Sequence, residues 1–68
     1  MESMETVFVL EELTDILNKT RYPCAVFCSF NAAKDYINNN GGNQLIMLAD
    51  GSIIEQYEIN ECVMMNNY

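Results

Sequence analysis

The first patterned stretch is Thr6-Val7-Phe8-Val9-Leu10, dense in β-formers, with Leu13 able to extend it. A continuous apolar run of this kind predicts a strand over Glu5 to Leu13, central in its sheet rather than at an edge. The next residues, Glu11-Glu12-Leu13-Thr14-Asp15-Ile16-Leu17-Asn18, fit two readings. A short helix would put Leu13, Ile16 and Leu17 on one face. A widened hairpin would return the chain to Tyr22, with Asn18 to Arg21 near the turn, and we adopt the hairpin. Pro23 has no amide hydrogen, so it belongs at the start or the edge of a second strand running through Ala25, Val26 and Phe27.

A change of period follows. Phe30, Ala33 and Ile37 recur at i, i+3 and i+7, one apolar stripe of a helix, with Ala32 and Tyr36 broadening it. Lys34, Asp35 and Asn38 then face water. Ser29 is placed to cap the first turn, because its hydroxyl can accept an otherwise orphan amide hydrogen bond. Asn39, Asn40 and Gly41 supply the stop, since Gly and Asn tolerate the left-handed conformation. The stripe is expected to pack on a sheet containing Val7, Val9, Val26 and Ile53.

Beyond the Asn40-Gly41-Gly42-Asn43 turn, Gln44 to Ala49 reads as a third strand. Asp50-Gly51 between strand formers predicts a two-residue type I′ hairpin. Ser52 to Ile59 reads as a fourth strand, with Ile53, Tyr57 and Ile59 on one face and Ile54, Gln56 and Glu58 on the other. Glu55 falls on the apolar face, which places it near an edge or beside a cation. Residues 60–68 have no clear period and read as a tail, although Cys62-Val63-Met64-Met65 is apolar enough to fold back on the sheet or join a partner.

The pattern therefore predicts one domain over residues 1–68. Its class is α+β, two-layer, with one helix packed on a mainly antiparallel sheet in the order β-β-α-β-β. One short helix covers part of such a sheet. The second face must be polar, covered by the tail or used in association, with Ile54, Met64 and Met65 the residues concerned. A homodimer through that face or an edge strand is expected.

Composition narrows the function. The 68 residues are 50% apolar, too rich for a disordered segment, and too few to build more than a small core. No apolar run reaches the roughly 20 residues of a membrane span, and Met1-Glu2-Ser3-Met4-Glu5 is acidic rather than a basic leader. A cytoplasmic location is the expectation. Ten carboxylates against three basic side chains leave a formal charge of −7. That argues against direct binding of nucleic acid or an anionic membrane. It suits a basic or DNA-binding protein partner, or simply keeps a small domain soluble. Three cysteines, an odd number, suit a reducing compartment. Cys24 and Cys28, about 13 Å apart along a strand, are too far apart to bridge, and apolar burial is their expected role.

No constellation carries chemistry. Histidine is absent, and with it the His-based triads and zinc-finger patterns. The cysteines lack a Cys-x-x-Cys spacing. Glu11-Glu12 and the Glu55/Glu58 pair read as solvated acids, Gly41-Gly42 lacks the rest of a phosphate loop, and Asp50 to Glu55 is not a calcium loop. Tyr22, Phe27 and Tyr57 lack the basic surround of a base-stacking surface. No catalytic residue, cofactor or metal ligand is expected, and the chain reads as a non-enzyme.

The order Val7-Phe8-Val9-Leu10, Ala25-Val26-Phe27-Cys28-Ser29, Ala32-Ala33-Lys34-Asp35-Tyr36-Ile37 and Glu55-Gln56-Tyr57-Glu58-Ile59 resembles small uncharacterised phage and prophage proteins with a strand-strand-helix-strand-strand layout. Here Cys28 stands where a Ser is common, and residues after Asn60 lie outside the pattern. The resemblance implies a small accessory protein acting on a host protein, and it brings no catalytic residue.

The expected function is protein binding, as a phage-encoded modulator or inhibitor of a host factor. Glu11, Glu12, Asp15 and Glu58 would supply charge, and Tyr22, Tyr57 and Met64 the anchors. The alternatives are a self-associating structural domain and a DNA-mimicking inhibitor built on Glu11, Glu12, Asp15, Asp50, Glu55, Glu58 and Glu61.

Overall fold

A computed structural model describes the backbone of residues 2–67 and the side chains of residues 4–64. The fold is a two-layer α+β arrangement in the β-β-α-β-β order, with its fourth strand divided in two. The elements are β1 (Glu2–Asp15), β2 (Thr20–Phe27), α1 (Phe30–Asn39), β3 (Leu45–Met47), β4 (Ile53–Glu55) and β5 (Tyr57–Asn67). β2, β1 and β5 form an antiparallel sheet in that spatial order, and β3 and β4 form a separate two-stranded hairpin.

The apolar run of β1 lies at the centre of its sheet, as its composition predicts. It is longer than expected at both ends, because both neighbours pair with it. β2 runs from Phe27 opposite Phe8 to Thr20 opposite Asp15. β5 runs from Tyr57 opposite Glu12 to Asn67 opposite Glu2. Residues 60–67 are therefore a strand and not a tail: their mixed composition hid a ladder that β1 dictates. Tyr68 lies outside the described residues. The break falls at Gln56, whose N–H turns to the Gln44 carbonyl while its own carbonyl accepts from Leu13 N–H. That divided loyalty ends β4 and starts β5.

The hairpin reading of residues 11–22 holds. Its turn spans residues 16–19, closed by Asp15, which accepts hydrogen bonds from the Asn18 backbone and side chain. Lys19 takes a left-handed φ of 55°. β2 is an edge strand, which tolerates Pro23, and a bulge leaves Cys24 unpaired between Ala25 opposite Leu10 and Pro23 opposite Glu11.

α1 begins as expected: the Ser29 hydroxyl accepts the Ala32 N–H at 3.1 Å. It ends with Asn40 as cap and Gly41 at φ 94°. Gly42 N–H reaches back to the Ile37 carbonyl at 2.9 Å, the long bond of a Schellman ending. Ala33 and Ile37 are buried, but Phe30 is 47% exposed and touches Phe8 edge-on. The core is Leu10, Ile37 and Tyr57, flanked by Ala25, Phe27 and Ile59.

This core fixes which sheet face the helix covers. Side chains alternate along a strand, so Phe8 and Leu10 point to α1 while Val7 and Val9 belong to the opposite face. Val26 pairs with Val9 and is exposed. Ile53 lies in the β3–β4 hairpin and is exposed as well. The sheet under the helix does contain Val7, Val9 and Val26, as expected, but Val7 and Val9 belong to its far face, which a run apolar at both parities does not reveal, and Ile53 lies outside that sheet. The expected burial of Cys24 and Cys28 also fails: both are exposed, as is Cys62. Cys24 sits in the edge bulge, and Cys28 lies just past the end of β2.

The β3–β4 turn is a hairpin of a different kind from the expected type I′. Gly51 N–H bonds to the Leu48 carbonyl, and Gly51 sits at φ 89° while Asp50 has no positive φ. This is a three-residue loop in which a turn is followed by a left-handed Gly. Asp50 caps it, accepting from Ser52 N–H at 2.9 Å and Ser52 hydroxyl at 2.6 Å.

Candidate functional site

Two structural facts meet on one side of the molecule. First, β5 is an edge strand, since the sheet ends there. Second, α1 and β5 enclose an open pocket of about 380 Å³. Its apolar lining is Phe30, Ile37, Tyr57 and Ile59, and Lys34, Glu55 and Glu58 also line it. Ile37 is there because the helical stripe turns it to the sheet. Tyr57 and Ile59 are there because they share β5's helix-facing parity. The Lys34 ammonium lies 5.6 Å from the centre of the Phe30 ring, a cation–π distance.

Asn43 closes one end. Its side-chain oxygen accepts the Tyr57 N–H at 2.8 Å, and its amide donates to the Tyr57 carbonyl at 3.1 Å and to Glu55 at 3.0 Å. A side-chain amide thus makes the two hydrogen bonds that a neighbouring strand residue would make.

The expected contact residues do not form one patch. Glu11 and Glu12 point to opposite faces of β1. Glu11 accepts from the Asn60 side chain and Glu12 from Gln56. Asp15 is occupied by Asn18, whose hydrogen bonds hold its carboxyl below the usual range. Asp15 and Met64 lie near opposite ends of the ribbon, since Met64 pairs with Glu5, ten residues or about 33 Å along β1. Tyr22 is 57% exposed and free to serve as an anchor. Tyr57 is 5% exposed, so it is core and not an anchor; burial pushes its phenol up. Glu58 pairs with Arg21 at 3.3 Å. Arg21 reaches there from β2, across β1, and also donates to the Glu55 carbonyl at 2.7 Å.

The remaining acids are equally dispersed. Asp50 sits in a turn, where the Ser52 hydroxyl, the Ser52 N–H and Lys19 hold its carboxyl far below its ordinary value. The Lys19–Asp50 pair, 3.2 Å, ties the first turn to the β3–β4 turn. Glu61 is exposed on the parity opposite to Glu58. Acids spread over two faces and two turns do not make the ordered row that DNA mimicry needs.

The groove itself was missed by sequence reasoning. Its signal was present in the shared parity of Tyr57 and Ile59, but its existence depends on β5 being an edge. Among the described residues, no cluster of metal-ligating side chains forms, and no helix is long and apolar enough to cross a membrane. No family model, curated protein or solved structure matches this chain.

Proposed function

We propose that this chain is a non-enzymatic protein that works by binding another protein, as a phage-encoded modulator or inhibitor of a host factor. The observation that carries the binding reading is the apolar pocket lying directly beside an unpaired strand edge. Pockets and open edges are both places where partners attach. The finer reading, a modulator of a host factor, rests on the sequence resemblance. The first hairpin is a secondary contact: Tyr22 is exposed there, while Glu11, Glu12 and Asp15 already serve internal hydrogen bonds.

The test is capture of proteins from extract of cells that encode the chain. Phe30→Ala removes an exposed pocket wall without touching the buried core. The wild type should retain a specific partner, and the Phe30→Ala variant should lose most of it. A variant with Glu11, Glu12 and Asp15 neutralised should lose less. No specific partner, or equal retention by Phe30→Ala, contradicts the reading.

Self-association is a second reading, favoured by exposed Met4, Val63 and Met64 on the far half of the ribbon. It requires the sedimenting mass to double at micromolar concentration. Two chains of charge −7 repel one another, so any dimer should strengthen as salt rises.

A further inference from the structure

We infer that the outer edge of β5, from Ile59 to Val63, takes up an extended basic segment of the partner as an added strand, one of whose apolar side chains enters the α1–β5 pocket. The inference rests on the protein-binding reading above and names the chemistry of the partner.

The hydrogen-bond pattern shows which groups are available. In an antiparallel pair, alternate residues turn both backbone groups toward the neighbour. Tyr57 turns both of its groups outward, to Asn43. By alternation, Ile59, Glu61 and Val63 turn theirs outward too, while Glu58, Asn60 and Cys62 bond to β1. Among the described residues, no strand lies beyond β5. Asn43 therefore occupies the first position of a ladder whose next positions are vacant. An incoming strand would begin opposite Ile59, where the Asn43 amide leaves off.

The side chains say what that strand carries. Opposite Ile59, beside the pocket lined by Phe30 and Ile37, an apolar side chain fits. Opposite Glu61, which is exposed, a Lys or Arg fits. Glu55 and Glu58 line the same pocket, and the chain carries −7 in all. Lys34 opposes a cation, but it is held over the Phe30 ring. Charge also decides between occupants. A second copy would bring −7 to −7 and a second Glu61 to the same edge, whereas a basic segment is attracted from a distance.

The probes are three eight-residue peptides offered to the full chain. One, the Val/Lys peptide, repeats Val-Thr-Lys-Thr, which puts Val and Lys two residues apart on one face; the Val/Glu peptide has Glu in place of Lys; and the third is the Val/Lys peptide with its Val and Lys backbone nitrogens methylated. Titration gives affinity, and residue-resolved amide exchange gives the location. The Val/Lys peptide should bind, with affinity falling as salt rises, and should slow exchange at Ile59, Glu61 and Val63. The Val/Glu and methylated peptides should bind far more weakly. Glu61→Lys should weaken the Val/Lys peptide by roughly three- to tenfold, and Lys34→Ala should tighten it.

Each contrary result has its own meaning. Protection at other amides overturns the edge assignment and leaves protein binding standing. Equal binding of the methylated peptide overturns strand addition. Equal binding of the Val/Glu peptide overturns the basic partner. Protection at Ile59, Glu61 and Val63 without peptide, growing with chain concentration, makes a second copy the occupant and overturns the inference. If no peptide binds, the inference fails, and capture by wild type and Phe30→Ala still judges the broader reading.

Discussion

The two halves of the β1–β5 ribbon differ in what covers them. From Phe8 to Glu12, β1 has β2 on one side, β5 on the other and α1 above. From Glu2 to Val7 it has β5 alone, with Met4 and Val63 exposed. The radius of gyration, 14.5 Å, exceeds the roughly 11 Å of a compact chain of this length. The excess is the uncovered half, which extends one axis to 51 Å. The lesson is that pairing alone sets the length of a strand, whereas the third layer sets where stability resides. A two-stranded ribbon is marginal without a third strand or a helix. The covered half holds the stability, and its β5 side is still an open edge.

Substitutions on the two halves should differ sharply. Leu10→Ala empties the most buried side chain of the covered half. It should cost about 2–5 kcal/mol. A chain of this size has a total of roughly 3–10 kcal/mol, so urea melting should show a large loss of folded protein. Ser29→Ala removes the helix cap that orients the covering layer and should cost about 1 kcal/mol. Val63→Thr, on the uncovered half, should change stability by less than about 0.5 kcal/mol. If Val63→Thr costs as much as Leu10→Ala, the uncovered half is covered by something, and the contrast collapses.

How much of this was legible in the sequence follows the same division. The helix was legible to its caps, because Ser29, the Ala33/Ile37 stripe and Gly41 each act locally. β1 as a central strand was legible, because apolar density reports burial. The identity of the face under the helix was not, since Val7-Phe8-Val9-Leu10 is apolar at both parities. Nor was β5 beyond Asn60 legible, because its pairing is set by a strand some fifty residues earlier. The acids were legible as charge and not as positions: Glu11, Glu12, Asp15 and Glu58 turn out to have internal partners. The pocket depends on two elements distant in sequence and could not be read from either.

The smallest expected effect concerns pH. Asp50 accepts from Ser52 and Lys19, and its carboxyl is lower in the folded chain than its ordinary 3.8. A depressed carboxylate contributes stability that is present above its unfolded value and lost as pH falls below about that value. Asp15 acts in the same sense through Asn18. Asp50 is exposed and Asp15 is half-buried at a surface turn, so solvent screens both and the effect is slight. Asp50→Asn should flatten the fall of melting temperature between about pH 4 and pH 2. An unchanged acid profile would show that the hydrogen bonds from Ser52 and Lys19 do not favour the ionised Asp50 carboxylate in the folded chain.

The openness of the β5 edge is tested most directly by amide exchange on the chain alone, at low concentration and residue by residue. Glu58, Asn60 and Cys62, which bond to β1, should exchange slowly. Ile59, Glu61 and Val63, which point outward, should exchange fast, giving an alternation of period two along one strand. Equal protection of both sets at all concentrations would mean that the edge is already paired, and the site proposed here would not exist.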